Sequence, residues 1–260
     1  MRLTRIHVDA ALAIGSRVPL SESAAGHLGR VLRAQAGDTC VLFNGDGRDY
    51  DARIAAIGKR SVEVEILAAR ALDNESPLRI TLLQALARGE KMDWILQKAT
   101  ELGVAGVIPV ESERSEVKLD GERAGKRVAH WQSVIVAACE QSGRAVVPPV
   151  SPPRPLADAV LVLPLSAVRL LLDPKAGHAP NAIQGQPSRD LVLAIGPEGG
   201  WSPRDREQLR AAGFEGMRLG PRILRTETAG IAAIAVLQSR IGDFVSATAG
   251  RTQEGGVRPA

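Results

Sequence analysis

Between Leu191 and Ala229 the chain twice spells out the same unit: an apolar run, a glycine–proline break, and the opening of a helix. Leu191-Val192-Leu193-Ala194-Ile195 has the length and composition of a strand buried on both faces. Gly196-Pro197-Glu198-Gly199-Gly200 then forbids regular structure and lets backbone N–H and C=O groups approach whatever sits above the strand end. Ser202-Pro203 reads as an N-cap and first helical residue, with Asp205 in the first turn. In the second unit Phe214 to Leu219 is a strand, Gly220-Pro221 breaks it, and Thr226-Glu227 opens an apolar helix running from Ala229 to Leu237. Two glycine-broken loops at the carboxyl ends of two strands are where an open α/β sheet binds its ligand. The plain alternative is a pair of tight β–α turns.

The residues also narrow the ligand. No G-x-G-x-x-G follows a strand and no G-x-x-x-x-G-K-[ST] occurs, so neither a dinucleotide fingerprint nor a P-loop is supported. One carboxylate, Glu198, among many accessible backbone groups suits a neutral or cationic ligand better than a polyphosphate. Basic residues exceed acidic ones by four and the pI is about 9.4, which fits a polyanionic partner. Residues 1–76 hold ten Lys/Arg against ten Asp/Glu, leaving 23 against 19 beyond them, so the surplus lies wholly in the later part. RNA binding by the first part therefore needs its arginines gathered on one face. Cys40 and Cys139 stand in no metal or redox spacing and read as reduced thiols. His7, His27, His130 and His178 form no ligand cluster, so no metal is expected. Asp9 interrupts the only apolar run near the start, and no stretch reaches the roughly 18 uninterrupted apolar residues of a membrane span. A cytoplasmic protein is expected.

At 260 residues and 45% hydrophobic content the chain can bury one or two cores. From the start to about Asp73 the pattern has period two. Arg5 to Val8 reads as a strand, Thr39 to Phe43 and Tyr50 to Ile57 as a hairpin around Asn44-Gly45-Asp46-Gly47, and Ser61 to Ile66 as a further strand. Ala24 to Leu32 reads as a short helix with His27, Arg30 and Arg33 on its polar side, and a small β-barrel is the expected outcome. The polar, proline-ended Leu72 to Pro77 places a domain boundary there. Strands then alternate with helices: Arg79 to Leu86, a helix over Glu90 to Leu102 capped by Gly103, Val104 to Val110, a long helix over Glu122 to Gln141, the proline-rich connection Pro148 to Pro155, a short helix near Ala157, and the strand Val168 to Leu172. This alternation implies a mainly parallel sheet covered on both faces. Read from pattern alone, the sheet is doubly wound and unknotted. Residues 245–260 lack periodicity and are expected to be a disordered tail.

Seven segments occur in an order that carries a resemblance: His27 to Arg33 (HLGRVLR), Phe43 to Gly47 (FNGDG), Ala87 to Val104 (ARGEKMDWILQKATELGV), Glu111 to Leu119 (ESERSEVKL), Ala137 to Arg144 (AACEQSGR), Ile195 to Asp205 (IGPEGGWSPRD) and Leu219 to Ala229 (LGPRILRTETA). Together they closely resemble the bacterial small-subunit ribosomal RNA (uracil-N3)-methyltransferases of the SPOUT superfamily, over roughly residues 1–244. The resemblance implies an α/β SPOUT sheet over 77–244 whose C-terminal segment is threaded as a trefoil knot, a rare exception to unthreaded topology. It also implies a PUA-like, RNA-binding β-barrel over 1–73, S-adenosylmethionine (SAM) as cofactor, 16S rRNA in the small subunit as partner, and a homodimer. SAM carries no phosphate, which accords with the missing nucleotide fingerprints.

By that resemblance the SAM-contacting set is Leu172, Gly196, Pro197, Gly199, Leu219, Gly220, Ile223, Leu224, Thr226, Glu227, Thr228 and Ala229. Arg225, beside the start of a helix, is the candidate that brings positive charge to the uracil carbonyl oxygens as N3 loses its proton. Its structural alternative is an ion pair with Glu198 or Glu227. Glu198 is the second catalytic candidate, either acting on cofactor or substrate proton or accepting hydrogen bonds within its own loop. Arg30, Arg33, Arg88, Lys91, Lys98, Arg114 and Lys118 form a candidate RNA track, against which stands an ordinary solvated face. Trp94, Trp131 and Trp201 read as core, Trp201 being the one placed to stack a base. Two competing readings stay open: a non-catalytic RNA-binding assembly factor, and methylation of another rRNA or tRNA nucleoside.

Overall fold

The computed structural model describes residues 4–26, 28–29, 32–58, 61–119, 121–177 and 189–244. Arg30, His27, His178 and the expected tail over 245–260 lie outside the described residues.

Five strands form the first sheet: β1 (Arg5–His7), β2 (Arg17–Pro19), β3 (Thr39–Phe43), β4 (Arg48–Ile57) and β5 (Val62–Ala71), in the order β1-β3-β4-β5-β2. β1 runs parallel to β3 and the other neighbours are antiparallel. The β3–β4 hairpin turns on Gly45 (φ 93°) and Gly47 (φ 85°), a conformation that favours glycine. Alternating residues face a core of Ile6, Leu42, Tyr50, Ile54, Val64 and Ile66. Two expectations need correction here. β2 carries no periodic signal, because an edge strand of three residues that ends in proline pairs on one side only. The helix expected from Ala24 begins earlier, as α1 (Glu22–Gly26), where Ser21 Oγ accepts from Ala24 N at 3.3 Å; residues 27, 30 and 31 of the expected span lie outside the described residues.

The second sheet is parallel throughout. Its strands are β6 (Arg79–Ala85), β7 (Gly106–Glu111), β8 (Arg154–Pro155), β9 (Val168–Leu172), β10 (Asp190–Ile195) and β11 (Glu215–Met217), ordered β11-β9-β10-β6-β7-β8. Both faces are covered, and β10 shows how. Leu191, Leu193 and Ile195 point into the core beneath α2 (Lys91–Glu101), α3 (Gly121–Ser142) and α6 (Thr226–Ile241). Val192 and Ala194 join the opposite core with α4 (Leu156–Leu161) and α5 (Pro203–Ala211). Gly103 ends α2 with φ 83°. The connection from Pro148 to Pro155 is extended and adds β8 to the edge of β7. Trp131 and Trp201 are 2% exposed, as core residues are, but Trp94 is 46% exposed because it sits off the stripe of Met92, Ile95, Leu96 and Ala99.

The two sheets are joined by buried charge. The Arg144 side chain pairs with Glu75 and donates to the carbonyls of Thr100 (2.9 Å) and Val104 (3.0 Å), while its own carbonyl accepts from Arg5 (3.0 Å). Arg5 also pairs with Asp49 and lies 4.8 Å from the ring centre of Phe43, which belongs to the core of the second sheet. Cys40 and Cys139 are free and buried, and burial pushes both thiols up to about 11. No helix among the described residues is long and apolar enough to cross a membrane.

Candidate active site

The loop after β10 is closely packed at Gly196, where a side chain would crowd Trp201, and meets Arg114 at Gly199. A Cβ on Gly196 would lie 3.2 Å from Trp201 N and 3.3 Å from its indole, and a Cβ on Gly199 would lie 3.4 Å from Arg114 Cβ. Gly200, at φ 65°, donates its N–H to Pro197 O at 2.8 Å and closes the turn. The chain then enters α5 through a full capping box: Ser202 Oγ accepts from Asp205 N, and the Asp205 carboxylate accepts from Ser202 N, both at 3.0 Å. The second loop covers residues 218–225, turns at Gly220 (φ 66°), and delivers Arg225 to the N-cap of α6.

One hydroxyl joins the two loops. Thr226 Oγ1 donates to Gly196 O at 2.6 Å and accepts from the wholly buried Gln84 Nε2 at 3.2 Å. Between the loops and the end of β9 opens a cleft of about 760 Å³. Leu172, Ile195, Leu219, Leu224 and Ala229 contribute apolar surface, and Lys91, Lys175, Arg206, Arg218, Arg222 and Arg225 bring positive charge. Glu198 and Asp173 are its two carboxylates. Burial works against the ionised form of Glu198. The Lys91 Nζ at 2.9 Å, its own backbone N–H and the Arg88 N–H at 3.2 Å outweigh burial and hold the carboxyl below its ordinary range. Asp173 follows the same logic, with burial overcome by the Lys175 N–H and by Arg206 Nε at 2.8 Å.

This arrangement can hold a mainly uncharged or cationic molecule through main-chain groups, beside a cationic rim suited to a polyanion. Comparison with known proteins narrows it further. An RNA methyltransferase domain model matches residues 74–238, and an RNA methyltransferase PUA domain model matches residues 20–67. The ribosomal RNA small subunit methyltransferase E of Buchnera aphidicola subsp. Schizaphis graminum is 33% identical over 243 residues, 94% of this chain and 98% of that protein. The chain belongs to the ribosomal RNA small subunit methyltransferase E family. Methyltransferase E of Neisseria gonorrhoeae, solved with S-adenosyl methionine bound, superposes with a TM-score of 0.87 at 41% identity, covering 94% of this chain and all 100% of that one. A Legionella pneumophila methyltransferase in complex with the bound cofactor SAM gives a TM-score of 0.88 at 39% identity, with 94% and 100% covered.

In this chain the expected residues divide between two places. Leu172, Gly196, Pro197, Gly199, Leu219, Ile223, Leu224, Arg225, Thr226 and Ala229 line the cleft, and Gly220 lies between two lining residues. Glu227 and Thr228 turn away from it, toward α2. Arg225 is exposed and makes no ion pair with Glu198 or Glu227, so neither structural pairing considered for it forms. Three members of the expected RNA track instead support the loop: Lys91 and the Arg88 amide hold Glu198, and Arg114 Nη1 donates to Gly199 O at 2.9 Å. The Arg88 guanidinium pairs with Glu116, and Lys98 with Glu101 at 2.8 Å along α2. Arg33 (φ 53°) and Lys118 are exposed and line neither wall. The residues that pattern did not single out are Asp173, Lys175, Arg206, Arg218 and Arg222. Asp173 alone carried a usable signal, its position one residue beyond the end of a buried strand.

Proposed function

We propose that the protein transfers a methyl group from SAM to N3 of a specific uridine in 16S rRNA, working as a homodimer in the cytoplasm. The observation that carries this reading is the Thr226–Gly196 hydrogen bond, which pins two glycine-broken loops into one cleft. Its volume, about 760 Å³, lies within the range that holds small cofactors. The fit to SAM is chemical as well. Leu172, Leu219 and Leu224 offer apolar surface to an adenine, while the loop backbones at 196–200 and 218–225 offer the donors and acceptors that a phosphate-free nucleoside needs.

SAM supplies an electrophilic methyl group on a sulfonium. The loops fix the direction in which that group faces, and alignment of this kind is worth about 7–11 kcal/mol when complete. Arg225 has a fixed backbone position as the N-cap of α6 and a side chain that forms no ion pair among the described residues. Its guanidinium and the helix N-terminus together supply positive potential to the uracil carbonyl oxygens, stabilising the anion that forms when N3 loses its proton. Glu198, held ionised by Lys91 and the Arg88 amide, keeps the first loop in shape.

The same reading assigns residues 1–73 to a PUA-like RNA-binding barrel and residues 77–244 to a SPOUT domain. The C-terminal trefoil knot belongs to it too. Support comes from the path after β11, which leaves the sheet edge and returns to pack α6 on α2 and β10. Of the expected RNA track, the exposed Arg33 and Lys118 remain its candidates, with Arg218 and Arg222 adding positive charge at the cleft. Mass mapping of 16S rRNA nucleosides from a deletion strain tests the reading. One N3-methyluridine should vanish and return with the gene. Loss of a different methylated nucleoside would replace the target, and no change would overturn the activity.

A further inference from the structure

A second cleft, of about 770 Å³, opens beside the first and shares Lys91 and Arg225 with it. Trp94 and Gln97 of α2 form one wall, and Glu227 and Thr228 in the first turn of α6 form the other. Trp94 presents an aromatic surface there, 46% exposed. Glu227 presents a carboxylate whose Oε2 is shielded from solvent and has no hydrogen-bond partner among the described residues. Glu198 is engaged by Lys91 and Asp173 by Arg206. Of the other acids that line this cleft, Glu90 is exposed, and Asp93 meets His130 Nε2 through Oδ2 at 2.7 Å while its Oδ1, like Glu227 Oε2, is shielded without a partner among the described residues. A shielded acceptor without a donor is uncommon enough to need an account. The N-terminus of α6 offsets part of its cost, but a dipole is not a hydrogen bond. What would complete this group is an N–H brought in by a ligand with a flat face.

We propose that the second cleft seats the target uracil, stacked on Trp94, and that Glu227 accepts its N3 proton. The proposal rests on the uridine-N3 reading above. The N3–H bond breaks and its proton passes to the Glu227 carboxylate, which becomes a neutral acid. N3 uses the freed electron pair to bond the methyl carbon. The carbon–sulfur bond of the donor breaks, its pair goes to sulfur, and a neutral thioether leaves; Glu227 then returns its proton to water. Arg225 lines both clefts, so one guanidinium faces the donor site and the uracil carbonyls together. Glu227 is two residues further along and lines the second cleft, where the substrate base would sit.

The test compares wild type, Glu227→Gln and Glu227→Asp in SAM calorimetry, small-subunit binding and single-turnover methyl transfer. The substrates are subunits reconstituted with 16S rRNA transcribed with uridine or with 5-fluorouridine, whose N3–H is the more acidic. Glu227→Gln should bind SAM and subunits within about twofold of wild type while transfer slows about a hundredfold or more. Glu227→Asp should keep part of the rate. The fluorinated substrate should restore the Gln variant by about tenfold or more, because a more acidic N–H depends less on the acceptor. A Gln variant with wild-type turnover overturns the proposal, and so does one whose binding and turnover fall together without recovery on 5-fluorouridine. Wild-type enzyme that leaves N3 unmethylated overturns the underlying reading instead.

Discussion

Arg225 is exposed at the N-cap of α6, so its removal takes away charge without opening a hole in the core. Arg225→Ala should therefore slow methyl transfer by about a hundredfold, the scale of one lost stabilising donor, while SAM affinity changes by less than about threefold. Calorimetry beside single-turnover kinetics separates the two, and equal loss of both contradicts the assignment. Glu198 makes a prediction of another kind. Burial raises its pKa, but the Lys91 ammonium, its own N–H and the Arg88 N–H lower it further, so the folded value lies below the ordinary 4.5. The unfolded chain then binds the proton more readily, and the contribution of this contact is complete above the ordinary value and lost as pH falls through the folded one. SAM affinity should be flat with respect to this group above about pH 5 and weaken in more acid solution, with Lys91→Met moving the loss to higher pH. An affinity profile that Lys91→Met leaves unchanged contradicts this role.

Among the elements, α5 depends on a local signal that can be removed with one atom. Ser202→Ala deletes half of the capping box and should cost about 1 kcal/mol, lowering Tm by about 2–4 °C in a thermal melt. A melt within error of wild type would mean that the cap carries no weight. That cap was legible in Ser202-Pro203-Arg204-Asp205 because capping is written within four residues. β10 was legible for a related reason: five apolar residues that stop at a glycine–proline break are too short for a buried helix and fit a strand covered on both sides. β2 and β8 were not, since short proline-bearing edges owe their conformation to the strand they pair with. The two loops of the cleft could be read from their glycines and prolines, but Asp173 and Arg206 could not. Their place depends on β9 lying between β10 and β11, an order that no local pattern encodes. Gln84 was hidden for the same reason, as a polar residue inside an apolar strand whose partner lies 142 positions away.

On the scale of the whole molecule, the fold gives each of its two sheets a hydrophobic core and then fixes the two together. Arg5 of the first sheet donates to the Arg144 carbonyl, and the Arg144 side chain is held by Glu75 and by the carbonyls of Thr100 and Val104, so the first sheet is fixed to the second at this point. The basic surplus falls in the part that carries the cleft, and Lys91, Arg218, Arg222 and Arg225 stand at its wall. The central claim is that two distant loops become one methyl-donor site because a single hydroxyl holds them. Calorimetric titration of SAM into wild type, Thr226→Ser and Thr226→Val tests it directly. Wild type and the Ser variant should each bind one SAM per chain, and the Val variant, which leaves the Gly196 carbonyl without its donor, should bind about tenfold more weakly. No heat with wild-type protein, or a Val variant that binds SAM as tightly as wild type, would contradict it.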